Sequence, residues 1–227
     1  MPVRNSSPPR RLSPVTLLLG ALISALSQFA ASSDEALTYV YRCEGEADAV
    51  VVQVDGDRGH LFARGISEPI SQAADGERYL GETSVYHPDR PADLAPGQTA
   101  SIQLDNRSLE NCRNDSRAAV WEAAKLRGVS YRAIGQEPGW VLEIDRDQGF
   151  LLVSDYGSSR ERIPYAEPLS NPATRTARYE SQLDGEVLVI EITGVDCRDS
   201  MSGESFESRV TVNWRNDQLQ GCGRALH

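Results

Sequence analysis

Histidine is scarce in this sequence, and its scarcity argues against several kinds of active site. The chain of 227 residues has only three histidines, His60, His87 and His227. A Ser-His-Asp or Cys-His site needs a histidine held beside its nucleophile. The four cysteines do not stand at the short spacings typical of zinc ligands. We therefore expect a protein that is not an enzyme and that uses no metal or other cofactor.

Lysine is almost absent, because Lys125 is the only one and arginine supplies all the other positive charge. The formal net charge is -10. Residues 1–32 carry three arginines and no acidic residue, so the rest of the chain has a net charge of -13, which is -10 less 3. This sign disfavours nucleic acid and an anionic membrane surface as partners. It favours a cationic protein.

Paired carboxylates are numerous, but their setting favours a structural role. A glycosidase needs two carboxyl groups at a fixed separation, one of them with a raised pKa. Here each pair lies in a segment with turn character, where aspartate is favoured because it hydrogen-bonds its own backbone. The pairs are Asp55 with Asp57, Asp145 with Asp147, and Asp196 with Asp199.

Long apolar runs are missing except near the N-terminus. The apolar run Leu12–Leu26 follows Arg10 and Arg11 and precedes the small residues 30–32. This order predicts a cleaved secretory signal peptide over residues 1–32. A membrane anchor is the alternative, but a span needs about 20 consecutive apolar residues. Polar residues and a proline interrupt this run.

Because we expect the protein to be exported, we interpret its cysteines as forming disulfides. No cysteine closely follows the apolar run, since the first is Cys43, so a lipid anchor is disfavoured and we expect a soluble periplasmic protein. Disulfides persist in that compartment. Of the three possible pairings we favour Cys43–Cys112 and Cys197–Cys222, one in each half of the chain. On the loop-entropy account they stabilise by about 4.4 and 3.5 kcal/mol.

Short alternating runs separated by turns dominate the chain after residue 33. Strands at a spacing of 8–12 residues with turns between them are typical of antiparallel barrels and sandwiches. One run, from Asn114 to Arg127, has helical character, with Asn114 or Asp115 able to cap it and Gly128 able to end it. We predict an all-β protein of two small antiparallel barrel or sandwich domains, joined by one short helix. The predicted domains are residues 33–113, the helix 114–128, and residues 129–227.

The first domain resembles the periplasmic and membrane-bound inhibitors of c-type lysozyme. The likeness lies in Tyr41–Gly45, Ser71–Tyr79 and Pro96–Asp105, ends at Cys112, and covers about residues 39–112. That family implies an eight-stranded antiparallel barrel with a disulfide between its ends. It also implies a Ser-Gly-x-x-Tyr loop and a Lys-Gly pair, whose polar groups enter the lysozyme cleft and bond its catalytic carboxylates.

The matching positions keep the small and aromatic residues of those motifs and change the polar ones. Gly76 and Tyr79 match, whereas Asp75 stands in place of the serine; likewise Gly97 matches, whereas Pro96 stands in place of the lysine. An aspartate facing two carboxylates is repelled unless a cation compensates.

Two arginines could supply that missing cation. Arg78 lies in the same loop as Asp75, and Arg90 lies in the proline-rich connection that precedes Pro96. We therefore include Arg78 among the residues expected to bind a partner.

The second half resembles an uncharacterised bacterial envelope domain over about residues 130–226. The likeness lies in Arg132–Trp140 and in the ending that runs from Cys197 through Met201–Gly203 to Gly221–Gly223. It implies no activity. The small residues around the second cysteine pair could form a nest of backbone N–H groups for an anion, or could only let a strand pass close to the disulfide.

These observations predict an exported protein that binds the cleft of a c-type lysozyme through the Asp75–Tyr79 loop. The first domain carries 15 acidic residues against 7 arginines, and the rest of the expected mature chain carries 18 against 13 basic residues. The more acidic half is therefore the one expected to meet a cationic lysozyme. The alternative is an envelope module that keeps the barrel but binds another ligand or serves a structural role without inhibiting lysozyme.

Overall fold

The structure is a computed structural model, and it describes residues 36–89 and 95–227. The predicted signal peptide and Arg90 lie outside the described residues. All the described residues belong to one compact unit. No helix in the described part of the chain combines the length and the apolar character needed to cross a membrane.

The first half is a closed barrel of eight antiparallel strands, in which each strand pairs with the next and β1 also pairs with β8. The strands are β1 Leu37–Glu44, β2 Val50–Asp55, β3 Arg58–Ala63, β4 Ile66–Gln72, β5 Tyr79–Leu80, β6 Ser84–Pro88, β7 Thr99–Leu104 and β8 Arg107–Asn114.

Alternation along these strands fills the barrel. On β7, Ala100, Ile102 and Leu104 are buried, while the residues between them are exposed. Successive side chains on a strand point to opposite faces, so an alternating strand buries one face and solvates the other. The resulting core contains the buried residues Tyr41, Cys43, Val50, Val52, Leu61, Ala63, Ile70, Tyr79, Tyr86, Ala100, Ile102, Leu104, Leu109 and Cys112.

The predicted disulfide pairing is confirmed, and the first bond lies at the seam of the barrel. Cys43 on β1 is joined to Cys112 on β8, across a separation of 69 residues. These strands are the first and the last of the barrel, so the bond fixes the point where the sheet closes. It therefore stabilises the closure that a β-barrel requires in order to have no free edge.

A single helix, α1 Ser116–Leu126, follows the barrel. The Asp115 carboxylate accepts a hydrogen bond from the backbone N–H of Ala118 at 3.1 Å and so caps its N-terminus. Gly128 follows its end at a φ of 94°. The buried ring of Trp121 packs with Phe206 and the second disulfide, which attaches the helix to the second half of the chain.

The second half is a nine-stranded antiparallel sheet curled into a half-barrel. Its order is β12-β11-β10-β9-β19-β18-β15-β14-β13. The strands are β9 Tyr131–Gln136, β10 Gly139–Asp145, β11 Gly149–Ser154, β12 Ser159–Ile163, β13 Leu169–Asn171, β14 Thr176–Leu183, β15 Glu186–Thr193, β18 Ser208–Trp214 and β19 Asp217–Ala225. A separate hairpin comprises β16 Cys197–Arg198 and β17 Ser205–Phe206.

The inner face of the half-barrel carries a large apolar core, which includes Trp140, Leu142 and Ile144 from β10. The indole of Trp140 lies across two glycines of the neighbouring strands. A Cβ on Gly135 would lie 2.0 Å from its Nε1 atom, and one on Gly221 would lie 2.7 Å from its ring. These two positions therefore require glycine because the ring occupies the space of a side chain.

The prediction of an all-β fold with one helix and two disulfides is confirmed. The second disulfide does not lie at a seam of its sheet, because Cys222 is on β19 in the middle of the sheet. The bond instead fastens the β16–β17 hairpin to the outer face, beside Trp121.

Candidate partner-binding end of the barrel

The barrel topology brings both lysozyme-inhibitor-like motifs to one end. In a barrel whose consecutive strands are antiparallel, successive connections alternate between the two ends. The β2–β3 turn, the β4–β5 loop and the β6–β7 connection therefore share an end, which we call the loop end. Asp75 to Arg78 lie in the β4–β5 loop, and Pro96 and Gly97 lie in the β6–β7 connection.

Asp75 organises its own loop. Its Oδ1 atom accepts hydrogen bonds from the backbone N–H groups of Glu77 at 2.9 Å and Arg78 at 3.2 Å. Its Oδ2 atom accepts one from Nε of Arg78 at 2.7 Å. The Gln72 side-chain amide donates to the carbonyl of Gly76 at 2.8 Å, and Gly76 turns the chain at a φ of 72°. Both oxygens of the carboxylate are therefore used inside the loop.

These contacts also fix the charge of Asp75. The backbone N–H of Glu77, and after it the guanidinium of Arg78, lower the pKa of this exposed carboxyl from 3.8 to about 2. Asp75 is thus ionised at neutral pH and its charge is balanced by Arg78. The Asp75 carboxylate is therefore not bare, because the Arg78 guanidinium beside it is bound to that group, whereas Glu77 of the same loop is exposed.

Tyr79 is not at the surface of the loop. Its side chain is only 8% exposed and belongs to the barrel core. Its hydroxyl donates to the carbonyl of Gly56 in the β2–β3 turn at 2.8 Å. The backbone N–H of Gln72 donates to the carbonyl of Asp57 in the same turn at 2.7 Å. Tyr79 therefore positions the β4–β5 loop against its neighbour.

In the second motif, Pro96–Gly97, one residue is likewise exposed and the other is buried. Pro96 is exposed, whereas Gly97 is buried and has a φ of 78°. A Cβ on Gly97 would lie 2.5 Å from the ring of Tyr39. Its carbonyl accepts a hydrogen bond from the hydroxyl of Tyr41 at 2.8 Å, and its N–H donates to Asp89 at 3.1 Å. Gly97 is therefore needed for packing, and Pro96 presents only an apolar ring.

Two tyrosines inside the loop end were not singled out by the sequence. The hydroxyls of Tyr41 and Tyr86 lie 2.8 Å apart. Since Tyr41 donates to Gly97, Tyr86 must donate to Tyr41. Burial raises the pKa of both hydroxyls, so the pair stays neutral. Their alternation with core residues on β1 and β6 was the signal that could have identified them.

Arg78 is exposed to solvent at the loop end, as is Arg58 at the start of β3. Its side chain is 52% exposed. Its Nε atom is engaged by Asp75, but its two terminal nitrogens make no hydrogen bond to the described residues. They are therefore available to a carboxylate on another molecule.

Other chemically interesting residues have local roles. His60 hydrogen-bonds the hydroxyl of Ser67 at 2.9 Å on the barrel surface. Asp145 accepts hydrogen bonds from the backbone of Asp147 and Gln148, as expected of a turn aspartate. No group of three or more histidine, cysteine, aspartate or glutamate side chains in residues 36–89 and 95–227 could hold a metal ion.

The suggested anion nest beside the second disulfide is occupied by the chain itself. The buried carboxylate of Asp199 accepts hydrogen bonds from the backbone N–H and the hydroxyl of Ser202, at 2.7 and 2.6 Å. A negative group of the protein thus already takes the place of an external anion.

Comparisons of this chain with protein-family models, with curated proteins and with solved structures find no match.

Proposed function

We propose that this protein is an exported, periplasmic inhibitor of c-type lysozyme, and that the loop end of its barrel enters the lysozyme cleft. The single observation that carries the proposal is the loop end itself. An eight-stranded barrel with a disulfide at its seam places Asp75–Arg78 and Pro96–Gly97 in connections at one end. This is the arrangement that the resemblance to the inhibitors implies.

In this proposal Arg78 replaces the serine and lysine of the inhibitor motifs, which are absent from this chain, as the group that binds the lysozyme carboxylates. The cleft of a lysozyme carries two catalytic carboxylates, and guanidinium groups bind carboxylates through paired, charge-assisted hydrogen bonds. The two terminal nitrogens of Arg78 make no hydrogen bond to a described residue, and Asp75 holds the side chain through its Nε atom. Pro96 adds apolar contact area at the rim.

The charge of the barrel half supports fast association. With 15 acidic residues and 7 arginines in residues 33–113, this half has a net charge of -8. A field of this sign attracts a cationic protein over long distances and raises its association rate.

Lysis of a bacterial cell-wall suspension by a c-type lysozyme tests the proposal. The protein should abolish lysis at micromolar concentration. Arg78→Ala should weaken inhibition at least tenfold, since loss of one partner of a buried charge pair costs about 2–5 kcal/mol. Arg90→Ala, made alone and with Arg78→Ala, tests whether the second arginine shares this role.

Arg107→Ala is the matched control. Arg107 is also 52% exposed and also forms an ion pair of 2.7 Å, with Glu46, but it lies at the opposite end of the barrel. Its loss should change inhibition by less than twofold. Equal effects of Arg78→Ala and Arg107→Ala would contradict binding through the loop end.

A non-inhibitory envelope module is the second candidate. It is favoured by the Asp75 carboxylate, whose two oxygens are consumed within the loop, and by Pro96, which has no N–H to donate. Absence of inhibition at micromolar protein, together with absence of a complex on size exclusion, would select this candidate over the first.

A further inference from the structure

The outer face of the half-barrel carries an ordered array of side chains that the loop end does not use. Pairing across β12, β11, β10 and β9 aligns Arg160 with Val153, Val141 and Ile134. The adjacent row aligns Arg162, Leu151, Glu143 and Arg132 in the same order. Each of these strands thus places an apolar or a charged side chain at a fixed point on this face.

Helix α1 does not cover the whole face. Its Trp121 lies on the β9 and β19 side, where it packs against Phe206 and Cys222. Between the helix and strands β10 to β12 there is a groove with a cavity volume of about 530 Å³. That volume lies within the range of small-molecule sites, about 300–1,000 Å³.

The groove is apolar along most of its length. Its apolar lining comes from the start of β1, from the exposed side of α1 and from the sheet: Leu37, Ala119, Val120, Ala123, Val141, Leu151 and Val153. Leu37 is 59% exposed and Val120 is 48% exposed, which is costly for large apolar side chains unless something covers them.

The polar part of the lining includes three uncharged residues, Thr38, Asn114 and Ser116, and a group of charged ones. Arg127, Arg132 and Arg160 line the groove, with one carboxylate, Glu143. Glu143 is buried and accepts hydrogen bonds from Arg132 and from Arg127. Arg160 is exposed and has no ion pair with any described residue, and the buried Nε atom of Arg132 has no hydrogen-bond partner among them. A basic groove is unexpected in a chain whose net charge is -10.

We propose that this groove binds a small amphiphile that consists of an unbranched acyl chain and a carboxylate. The chain lies along the apolar lining, and the carboxylate is bound by Arg160 at the β12 side of the groove. Guanidinium groups match a carboxylate through two parallel hydrogen bonds, whereas an apolar strip selects for the hydrocarbon. The groove adjoins the loop end, because the start of β1 lines it, but it includes none of the residues Asp75–Arg78, Pro96 and Gly97. The proposal therefore does not depend on the proposed inhibition of lysozyme.

Calorimetric titration of the full-length exported chain with sodium decanoate, below its micellar concentration, tests this site. We expect saturable one-to-one binding. Octanoate and hexanoate should bind progressively more weakly, by up to about fourfold for each methylene group, since burial of a methylene contributes about 0.8 kcal/mol. Decyltrimethylammonium has the same chain and the opposite charge, and should not bind measurably.

Variants locate the head group. Arg160→Gln should weaken decanoate binding about five- to tenfold, because it removes a charge-assisted hydrogen bond, and Arg160→Lys should restore part of the affinity. Arg209→Gln is the control, since Arg209 is exposed on the same face of the sheet but five strands away from β12, at roughly 24 Å. It should leave affinity unchanged.

Three results would overturn the proposal. They are the absence of saturable decanoate binding to the natural chain, equal binding of the ammonium analogue, and equal losses in Arg160→Gln and Arg209→Gln. Circular dichroism and urea unfolding of each variant check that these surface changes leave the fold intact.

Discussion

At the scale of single residues, tyrosine hydroxyls hold the loop end together. Tyr79 bonds the β2–β3 turn, and Tyr41 bonds the β6–β7 connection while it accepts from Tyr86. Each ring lies in the barrel core and each hydroxyl reaches a backbone carbonyl or a second hydroxyl at the rim. A buried tyrosine whose hydroxyl is hydrogen-bonded contributes apolar burial, and its hydrogen bond fixes the orientation of the side chain. The loops are therefore positioned from inside the barrel.

Tyr79→Phe tests this positioning. The change removes the hydroxyl that donates to the carbonyl of Gly56 but keeps the ring, so the free energy of unfolding should fall by about 1 kcal/mol. Urea denaturation measures the change. Tyr156→Phe is the control, because the side chain of Tyr156 is 77% exposed and its hydroxyl makes no hydrogen bond to a described residue. Equal stability of the Tyr79→Phe and natural proteins would contradict a role for this bond.

Asp75 makes the stability of the β4–β5 loop depend on pH in the acidic range. Its pKa of about 2 in the folded protein lies below its ordinary value of 3.8. A group whose pKa is lowered by folding stabilises the fold above its unfolded pKa, and this contribution is lost as the pH falls through the folded pKa. The loop should therefore keep its hydrogen bonds at pH 5 and lose them between about pH 4 and pH 2.

Carboxyl NMR measures that transition directly. The Asp75 signal should titrate near pH 2, and Asp75→Asn should remove the corresponding part of the acid dependence of stability. A midpoint close to 3.8 would mean that the N–H groups of Glu77 and Arg78 do not bind this carboxylate in solution.

At the scale of elements, the clearest turn signals in the sequence correspond to hairpins. Asp184-Gly185, a pair typical of hairpin turns, joins β14 and β15, and both residues adopt positive φ. Such φ values suit the two-residue turns that match strand twist. Asp115, one of the two residues expected to cap the helix, does cap it.

Two edge strands were missed for an equally physical reason. The segment Ser159–Ile163 reads Ser-Arg-Glu-Arg-Ile and has little of the β-branched or aromatic content that marks strands. It forms β12 because β11 offers it a ladder of backbone partners. The three residues of β13 lie between Pro168 and Pro172, which favour a loop. An edge strand forms when the neighbouring strand offers it backbone hydrogen-bond partners. The local sequence of the edge strand does not show whether such a neighbour is present.

The candidate site could be predicted only in part. The sequence placed Asp75, Gly76, Arg78 and Tyr79 in one turn segment, and the structure keeps them together in the β4–β5 loop and at the start of β5. It did not reveal that Tyr79 faces the core or that Asp75 binds Arg78, since both depend on the strands that flank the loop. The groove on the outer face could not be predicted from the sequence, because its residues come from β1, β8, α1 and four strands of the half-barrel.

The two disulfides are predicted to contribute unequally. Replacing Cys43 and Cys112 by serine should lower the free energy of unfolding by about 4.4 kcal/mol, because the loop of 69 residues regains entropy in the unfolded chain. The same change at Cys197 and Cys222, whose separation is 25 residues, should cost about 3.5 kcal/mol. Urea unfolding of the two double variants compares them. A larger loss for the second pair would contradict the loop-length account.

At the scale of the whole molecule, charge is distributed unevenly. The barrel half has a net charge of -8, and residues 114–227 have -5, from 18 acidic and 13 basic residues. Yet the outer face of the half-barrel gathers arginines around its groove. Under the two proposals made above, the barrel would attract a cationic protein and the groove would bind a carboxylate.

Salt should reveal the first of these interactions in the proposed complex with lysozyme. Raising the ionic strength from 0.05 to 0.5 M should lower the association rate constant at least tenfold, because mobile ions screen charges beyond a few ångströms. The dissociation rate constant should change much less. Surface plasmon resonance measures both rates. An association rate constant that is independent of salt would show that the net charge of the barrel plays no part in encounter.

The two edge strands of the half-barrel differ, and both disfavour pairing with a strand from another molecule. One margin is β12, where Arg160, Glu161 and Arg162 follow one another, and the other is β13, which is only three residues long. A strand from a second molecule would have to align with charged side chains at the first margin and would find too few backbone partners at the second. Both margins of the nine-stranded sheet therefore disfavour the addition of a second copy of it.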